Sequence, residues 1–293
     1  MEYVPAKSIV YRDKSPDWFG TDYKMNIYRG CCHGCIYCDS RSDCYQIGDF
    51  DTVKAKENAL DIIRDDLRRK VKRGVVVTGA ASDPYNPYEK ELLLTRHALE
   101  LIDIYGFGAG IATKSPLIAR DRDILARIAA HDPVIVKITV TCADDAVSRV
   151  IEPGVAVTSA RFEAMRALAD AGLYSGVLMM PLLPFINDTD DNVAEIVRLA
   201  GRSGARFIYP AFGLTMRSGQ REYLYKALDA SFPGVREKYA AQFGGQYSCR
   251  SPRAEQLWQI FKKECDAYGI VYRMADIIKG YRADYDEEQL TLF

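Results

Sequence analysis

The sequence lacks the features that carry a chain into or across a membrane. Its longest apolar run, residues 177 to 186, is ten residues long and contains two prolines. A membrane-spanning helix needs about 20 apolar residues, so this run is too short. The first 20 residues show no basic start followed by an apolar region, and we expect no secretory signal. These absences favour a cytoplasmic protein with no membrane partner.

Excess charge, a disulfide framework and a histidine cluster are also missing. The chain carries 39 Lys and Arg against 40 Asp and Glu, a net charge of -1. This balance excludes a global attraction to nucleic acid, so any such contact must come from a local patch. Eight cysteines in 293 residues do not make a disulfide scaffold, and clustered cysteines in a reducing compartment more often bind metal or carry out chemistry. His33, His97 and His131 are too far apart in sequence to predict a ligand set.

Short β-rich segments alternate with helical segments over most of the chain, which predicts a parallel sheet covered by helices. Apolar residues at three- and four-residue spacing predict helices such as 89–106 and 158–173. Six βα units form either a partial barrel or an open doubly wound sheet, and both collect functional groups at the C-terminal strand ends. The predicted strands are residues 22–30, 74–80, 108–114, 134–141, 174–180 and 205–212.

The pattern changes near residue 218, after which two long segments, 219–245 and 251–269, are helical in their apolar spacing. The last residues are acidic and then apolar. We therefore expect three parts: an α/β domain with an N-terminal extension over residues 1–217, a helical extension packed on it over 218–282, and a flexible tail over 283–293.

Four of the eight cysteines lie in "GCCHGCIYCD", residues 30 to 39. Cys31, Cys35 and Cys38 have the spacing C-x3-C-x2-C, which does not match the x2, x2, x3 spacing of bacterial ferredoxins. Three thiolates can hold three irons of a [4Fe-4S] cube, which leaves the fourth iron without a protein ligand. The alternative is a zinc site completed by Cys44 or His33. Structural zinc prefers paired C-x2-C motifs, and no second pair follows in the sequence.

This spacing, with Tyr37 before the last cysteine, resembles the radical S-adenosylmethionine (SAM) superfamily. The resemblance implies a partial (β/α)6 barrel with a helical C-terminal extension. It implies a [4Fe-4S] cluster on Cys31, Cys35 and Cys38, SAM bound at the open iron, and cleavage of SAM to a 5′-deoxyadenosyl radical. An external electron donor such as flavodoxin or ferredoxin is implied as a partner. Cys32 is then not a ligand.

Further segments look like the spore photoproduct lyase-like group of this superfamily, often described as DNA repair photolyase-like. This resemblance implies a lyase-like enzyme of DNA repair with a nucleic-acid substrate. Basic residues interleaved with aromatics at 215–226 and 249–253 suit such a substrate, although charged helix faces are usually only solvated. The similarity covers about residues 20 to 245, through segments 28–39, 82–91, 112–125, 151–173 and 179–188.

The superfamily resemblance also implies residues that bind SAM, and Tyr37 is one of them. Gly79, Ser82 and Asp83 follow the second predicted strand, where such enzymes place groups for the methionyl ammonium. Here "GAASD" stands in place of the usual Gly-Gly-Glu run. A turn shaped by the neighbouring prolines is the alternative interpretation.

Four further candidates lie at or after later strands. Lys114 and Thr141 end the third and fourth predicted strands, so both are expected to point into the site. Glu152 is a candidate for the ribose hydroxyls of SAM, and Arg161 for its carboxylate, which a guanidinium matches with two hydrogen bonds. Ordinary structural roles are the alternative for both residues.

Cys142, also at the end of the fourth strand, is a candidate hydrogen-atom donor. Spore photoproduct lyase uses a cysteine in this role, but that residue lies much closer to its cluster motif. A small buried apolar side chain is the alternative role for Cys142.

The C-terminal residues Gln289 to Phe293, "QLTLF", resemble the peptide by which bacterial replication and repair proteins bind the DNA sliding clamp. An acidic lead-in followed by apolar anchors suits a segment that becomes ordered on binding. Packing of these residues on the protein's own surface is the alternative.

Two other functions remain open on sequence alone. The first is radical SAM modification of RNA, a peptide or a small molecule. The second is a non-catalytic metal-binding module associated with the clamp. No further cysteine cluster follows near the C-terminus, which counts against a peptide-modifying enzyme with auxiliary clusters.

Overall fold

A computed structural model describes residues 1–286 as one large sheet, two small sheets and covering helices. The strands are β1 (Glu2–Val4), β2 (Val10–Arg12), β3 (Tyr23–Met25), β4 (Tyr28–Arg29), β5 (Lys54–Lys56), β6 (Val75–Thr78), β7 (Gly108–Thr113), β8 (Val134–Thr139), β9 (Ser175–Met179), β10 (Phe207–Pro210), β11 (Gly213–Thr215) and β12 (Ser248–Arg250). The α-helices are α1 (Ala59–Arg68), α2 (Glu89–Leu92), α3 (Leu94–Ile104), α4 (Arg122–Ala129), α5 (Asp145–Ile151), α6 (Thr158–Asp170), α7 (Asp190–Arg202), α8 (Gln220–Ser231), α9 (Val235–Phe243), α10 (Ala254–Tyr268) and α11 (Met274–Asp286).

The large sheet has seven strands in the order β10-β9-β8-β7-β6-β3-β2. Strands β3 and β6 to β10 run parallel, and β2 pairs antiparallel with β3 at one edge. Helices connect the successive parallel strands from β6 to β10. The predicted α/β class, with a parallel sheet and a helical C-terminal region, is confirmed.

Strand β8 separates the hydrophobic core from an interior cavity. Val134, Val136 and Ile138 belong to the main core, which the covering helices share. The alternate residues Lys137 and Thr139 line a cavity on the other face. Because successive side chains of a strand point to opposite faces, the whole strand is buried although its two faces differ in chemistry. Strands β6, β7 and β9 also contribute to the lining, so the sheet curves around this cavity as a partial barrel.

The N-terminal ends of the strands are closed by an aromatic cluster. Phe19 is fully buried there and clusters with Ile135 and Phe207, which lie near the starts of β8 and β10. Helix α11 covers this cluster, with Ile277 buried in it and the Tyr281 hydroxyl donating to the Phe19 carbonyl at 2.6 Å. The cavity therefore has a closed floor and lies towards the C-terminal strand ends.

The helices after β11 are distributed over three sides of the barrel. Leu224 of α8 and Tyr239 of α9 share a buried cluster with Ile36 of the cysteine loop. Helix α10 packs along α7, where Arg198 and Glu264 form an ion pair of 2.7 Å. Helix α11 covers the floor, so this region supports the cysteine loop and the barrel at the same time.

Three predicted boundaries are wrong. Residues 22–30 do not form one strand, because β3 enters the large sheet whereas β4 pairs with β5 in a small one. The helix predicted over 89–106 is two helices, because Leu93 has a positive φ of 53°. Helix α11 continues to Asp286, so residues 283–286 are helical rather than part of a tail. The predicted clamp motif, Gln289 to Phe293, lies outside the described residues.

Candidate active site

The cysteine loop, residues 30–38, is held at both ends by backbone hydrogen bonds. The Cys31 amide donates to the Phe50 carbonyl at 2.8 Å, and the Ile36 amide donates to the Ile151 carbonyl at 3.0 Å. Gly30 begins the loop with a φ of 78°, and a Cβ there would lie 2.3 Å from the Thr52 carbonyl oxygen. Only glycine fits this close approach, so the sequence fixes how the chain enters the loop.

Three of the loop thiols face one space. Cys31, Cys35 and Cys38 all line the interior cavity, which has a volume of about 600 Å³. Cys32 instead packs against the main core and does not line the cavity. The three cavity thiols are free, and the loop that carries them lies at the C-terminal ends of the strands.

The donor chemistry of these residues suits an iron–sulfur cluster. Three thiols face one space, and a [4Fe-4S] cube can take three thiolates, each through a different iron, with its fourth iron left open. Within residues 1–286, no group of three or more His, Cys, Asp or Glu side chains is arranged to hold a single metal ion. The residues present therefore fit a [4Fe-4S] cluster by the number and kind of their donor atoms.

The segment after β6 forms the opposite wall of the cavity. Gly79 has a φ of 98°, and a Cβ there would lie 1.8 Å from the Ala112 carbonyl oxygen. The Ser82 hydroxyl donates to the Gly30 carbonyl at 2.5 Å, which ties this segment to the cysteine loop. Gly79, Ser82 and Asp83 all line the cavity. The structure thus brings these predicted residues to the same space as the three thiols.

The Asp83 carboxylate is already engaged by the protein. It accepts hydrogen bonds from the Tyr85 amide at 2.9 Å, from the Thr113 hydroxyl at 2.6 Å and from the Lys114 amide at 2.8 Å. The His33 ring nitrogen Nδ1 lies 3.6 Å from it. Asp83 therefore fixes the end of β7, and with it Lys114, which lines the cavity with its ammonium 5.8 Å from the Tyr37 ring centre.

Glu152 and Arg161, the candidates for the ribose hydroxyls and the carboxylate of SAM, do not line the cavity that the three thiols face. Both are fully buried beneath the cysteine loop and form an ion pair of 2.5 Å. Arg161 also donates to the Ala156 carbonyl at 2.7 Å and the Thr139 carbonyl at 3.0 Å, which uses its donors internally. The Tyr37 hydroxyl donates to Glu152, and burial together with this carboxylate raises the pKa of Tyr37 well above its usual value.

Thr141 and Cys142 also lie outside the cavity that the three thiols face. Thr141 is fully buried outside the cavity, and its carbonyl accepts hydrogen bonds from Asn187 at 2.7 Å and Asn192 at 3.1 Å. Cys142 is buried and faces a different cavity of about 420 Å³, lined in part by the same two asparagines. Burial raises the pKa of its thiol to about 11. Because β8 ends at Thr139, both residues have left the strand and turned away from the barrel interior.

The cavity contains charged residues that sequence reasoning missed. Asp13 and Lys24 form an ion pair of 2.8 Å in its lining, and Lys137 projects into it from the middle of β8. Burial lowers the pKa of Lys137 to about 7, against an opposing effect of Asp13. A single lysine inside the apolar stretch "VIVKIT" is the sequence signal that would have identified it.

A second opening leads away from the cysteine loop. A groove of about 560 Å³ shares Tyr37, Cys38 and Lys114 with the interior cavity, and it extends to Phe212 and Arg250 beside the hairpin of β11 and β12. The two spaces therefore meet at the loop, and a ligand larger than the cavity has a path outwards.

This fold and this loop define a class of barrel enzymes that bind a metal cluster at the C-terminal strand ends. A model of the Radical SAM superfamily matches residues 25–200. The chain belongs to the radical SAM superfamily, as the sequence predicted.

Curated relatives have similar sequences over most of the chain. The uncharacterized protein Rv2578c of Mycobacterium tuberculosis is 30% identical over 224 residues, which are 74% of this chain and 66% of the relative. The uncharacterized protein MJ0683 of Methanocaldococcus jannaschii is 30% identical over 195 residues, 66% of this chain and 71% of the relative. The chain thus spans just under two thirds of the length of the mycobacterial protein.

Solved structures share the fold at low sequence identity. Spore photoproduct lyase complexed with dinucleoside spore photoproduct matches with a TM-score of 0.63 and 15% identity, over 91% of this chain and 79% of that chain. The radical SAM methyltransferase TsrM from Kitasatospora setae, with tryptophan and a SAM analog bound, matches with a TM-score of 0.54 and 12% identity, over 84% of this chain and 51% of that chain. The predicted likeness to spore photoproduct lyase is confirmed at the level of the fold.

None of the helices within residues 1–286 combines the length and the apolar character needed to cross a bilayer.

Proposed function

We propose that this chain is a radical SAM enzyme in which Cys31, Cys35 and Cys38 hold a [4Fe-4S] cluster and SAM binds beside it in the interior cavity. The observation that carries the proposal is that these three thiols, and not Cys32, face one cavity of about 600 Å³ at the C-terminal strand ends. When bound, the cluster and SAM supply an electron and a 5′-deoxyadenosyl radical.

The chain's own residues would bind and orient SAM. Gly79 lines the cavity and lets the segment after β6 pack directly against the Ala112 backbone of β7, which places its own backbone groups beside the proposed methionyl site. Lys114 replaces Arg161 as the proposed partner of the methionyl carboxylate, because its ammonium reaches the cavity and Arg161 does not. Ser82 and Asp83 position these groups through their bonds to Gly30 and to the end of β7.

The test is the production of 5′-deoxyadenosine. The protein is reconstituted anaerobically with iron and sulfide and reduced with dithionite in the presence of SAM. We expect 5′-deoxyadenosine from the wild-type chain and less than about 1% of that amount from Cys35→Ala, since two thiolates cannot hold the cluster at the cavity. Cys44→Ala is the matched control, because Cys44 is exposed and does not line the cavity. No product from a wild-type chain that contains the cluster would contradict the activity.

We further propose a nucleic-acid substrate and a role in DNA repair. The spore photoproduct lyase complex with dinucleoside spore photoproduct supports this substrate class for the shared fold. The groove that leaves the cavity supports it as well, since it contains Arg250 and Phe212. Nearby, the Arg217 guanidinium lies 5.1 Å from the Tyr247 ring centre, an arrangement that suits phosphate and base contacts.

The substrate proposal has its own experiment. Ultraviolet-irradiated oligonucleotide is incubated with the reduced holoenzyme and SAM, and the lesions are counted by mass spectrometry. Loss of a thymine lesion that requires Cys35 would support repair. If irradiated DNA is unchanged and has no effect on 5′-deoxyadenosine formation, an RNA, peptide or small-molecule substrate takes precedence.

We propose a cytoplasmic enzyme that receives electrons from flavodoxin or ferredoxin and reaches DNA by binding the sliding clamp through Gln289 to Phe293. We also propose that residues 1–217 and the following helices form one functional unit, because α8 and α9 pack on the cysteine loop.

A further inference from the structure

Lys137 is a buried lysine in the middle of a central strand of the barrel. Its side chain is only 2% exposed, and it faces the interior cavity rather than the core. Its neighbours across the sheet are Ala112 on β7 and Gly176 on β9. Both are too small to reach its ammonium, and neither has a polar side-chain atom. The sheet itself therefore leaves the ammonium without a partner.

The groups around Lys137 do not neutralise the positive charge of its ammonium. Its Nζ lies 4.7 Å from the ring centre of Phe19 on the cavity floor. The carboxylate that influences it is that of Asp13. Asp13 already accepts from Lys24 at 2.8 Å, from the Thr21 hydroxyl at 2.8 Å and from the Ser15 amide at 2.8 Å. Across residues 1–286, the Lys137 ammonium has no hydrogen bond and no ion pair. When Lys137 is protonated, Asp13, Lys24 and Lys137 together carry one net positive charge.

An ammonium held deep in the cavity is costly, because it has lost part of its hydration and gains only a ring contact in exchange. A negatively charged ligand would remove that cost. The strand register places Lys137 level with Ala112, two residues deeper in the barrel than Lys114. A single methionyl carboxylate near the cysteine loop would be met by Lys114, so the deeper lysine is left for a different ligand.

From this geometry we infer that Lys137 binds an oxyanion of the substrate, a phosphate or a carboxylate, at the floor of the cavity. The inference rests on the proposed function, in that the same cavity receives the substrate of the radical reaction. It adds a requirement to that function, since the substrate must carry a negatively charged oxygen group that enters the barrel. A nucleotide phosphate meets this requirement, and so does a small carboxylic acid.

The test is ligand binding by calorimetry to the cluster-reconstituted protein, with wild type, Lys137→Met and Lys238→Met. Methionine keeps the length of the side chain without its charge. Lys238 is exposed on α9, so its replacement removes one charge from the protein without touching the cavity. The probes are inorganic phosphate, acetate, thymidine 5′-monophosphate and uncharged thymidine. SAM binding is measured for each protein in parallel, and thermal unfolding checks that each variant is folded.

We expect Lys137→Met to weaken the binding of the charged probes roughly tenfold to a hundredfold, the value of a hydrogen bond to a charged group. The affinities of Lys137→Met for thymidine and for SAM should stay within about threefold of wild type. The affinities of Lys238→Met for all probes should also stay within about threefold of wild type. If thymidine 5′-monophosphate and phosphate bind more tightly than acetate, the oxyanion of the substrate is a phosphate. If acetate binds more tightly, it is a carboxylate.

Two results would overturn the inference. The first is equal binding of phosphate and acetate to wild type and Lys137→Met. The second is a loss of SAM affinity in Lys137→Met as large as the loss for the anions, since Lys137 would then belong to the SAM site. Failure of the proposed function looks different, because 5′-deoxyadenosine would be absent from the wild-type holoenzyme whatever binds at Lys137.

Discussion

At the scale of single residues, the adjacent cysteines Cys31 and Cys32 have different surroundings. Cys31 lines the interior cavity, whereas Cys32 packs against the core. We predict that Cys31→Ala lowers cluster iron at least about fivefold after reconstitution, while Cys32→Ala keeps the wild-type iron content. Iron and sulfide analysis with the visible absorption spectrum checks this. An equal loss in both variants would show that the loop binds its cluster in another way.

Lys137 gives a prediction on stability and pH. Burial lowers its pKa in the folded protein from 10.5 to about 7, opposed by nearby Asp13. Between these pH values the unfolded chain holds one more proton at this residue than the folded chain, so stability rises with pH across the window. Below about pH 7 both states are charged, and the full cost of burial applies. Asp13 does not remove this cost, because its carboxylate is already paired with Lys24.

Replacing Lys137 should therefore stabilise the protein most at low pH. We predict that Lys137→Met raises the melting temperature by roughly 2–6 °C at pH 6. The gain should shrink as the pH rises from 7 towards 10. Thermal unfolding without phosphate or carboxylate buffers measures it, and Lys238→Met should show no such trend. A lower melting temperature for Lys137→Met at pH 6 would mean that the ammonium has a stabilising partner.

The site residues were only partly predictable from the sequence. The cysteine spacing predicted Cys31, Cys35 and Cys38 as one set because all three lie in one short loop, and all three line the interior cavity. For Glu152 and Arg161 the sequence indicates proximity to the site without showing whether a side chain enters the cavity or lies beneath the loop. Their burial depends on contacts with the Ala156 and Thr139 carbonyls and with Tyr37, which only the folded chain reveals.

At the scale of elements, the buried strands were predicted well and their surroundings less well. Apart from Lys137, residues 134–141 are all β-branched, and β8 forms there with both faces buried. The break at Leu93 was missed, because "ELLLT" gives no turn signal and the positive φ is imposed by the tertiary structure. Strand β4 was assigned to the large sheet because its true partner, β5, lies about 25 residues away along the chain.

The support beneath the cysteine loop yields a prediction for helix α6. Arg161 of α6 depends on Glu152 for charge compensation, and both are fully buried. Glu152→Gln leaves the guanidinium without a counter-charge, so we predict a loss of roughly 3–5 kcal/mol in the free energy of unfolding. Denaturant unfolding measures it. Glu163→Gln, an exposed position of the same helix, is the control and should change stability by less than about 0.5 kcal/mol.

A result for Glu152→Gln within the range of the control would contradict this role of the ion pair. Arg161 would then have enough stabilisation from its two carbonyl contacts alone. Reconstituted Glu152→Gln should also bind less cluster iron, because the Tyr37 hydroxyl loses the carboxylate to which it donates a hydrogen bond.

At the scale of the whole molecule, the helical C-terminal region connects the cysteine loop with the barrel floor. Helices α8 and α9 pack beside the loop, and α11 covers the aromatic cluster around Phe19. Sequence periodicity predicted the helical segment that contains α8 and α9 but did not identify α11, and the distribution of these helices over different sides depends on which apolar faces find partners in the folded barrel. The tail that follows is the part of the chain for which we propose a different role.

The proposed clamp contact can be tested by removing the residues that carry it. We predict that deleting residues 287–293 leaves the melting temperature within about 1 °C of wild type and abolishes binding to a bacterial sliding clamp. Replacing Leu292 and Phe293 with alanine should weaken clamp binding at least about tenfold, because these side chains are the proposed apolar anchors. Calorimetry with purified clamp measures both. Unchanged binding of the deleted chain would contradict the motif.

The central claim, a cluster with one iron open to SAM in the interior cavity, is tested most directly by electron paramagnetic resonance of the dithionite-reduced protein before and after addition of SAM. The account predicts a reduced [4Fe-4S] signal in the wild-type chain that changes when SAM is added, and its absence in Cys35→Ala. A reduced cluster whose spectrum is identical with and without SAM, or a reconstituted chain that forms no [4Fe-4S] cluster, would contradict it.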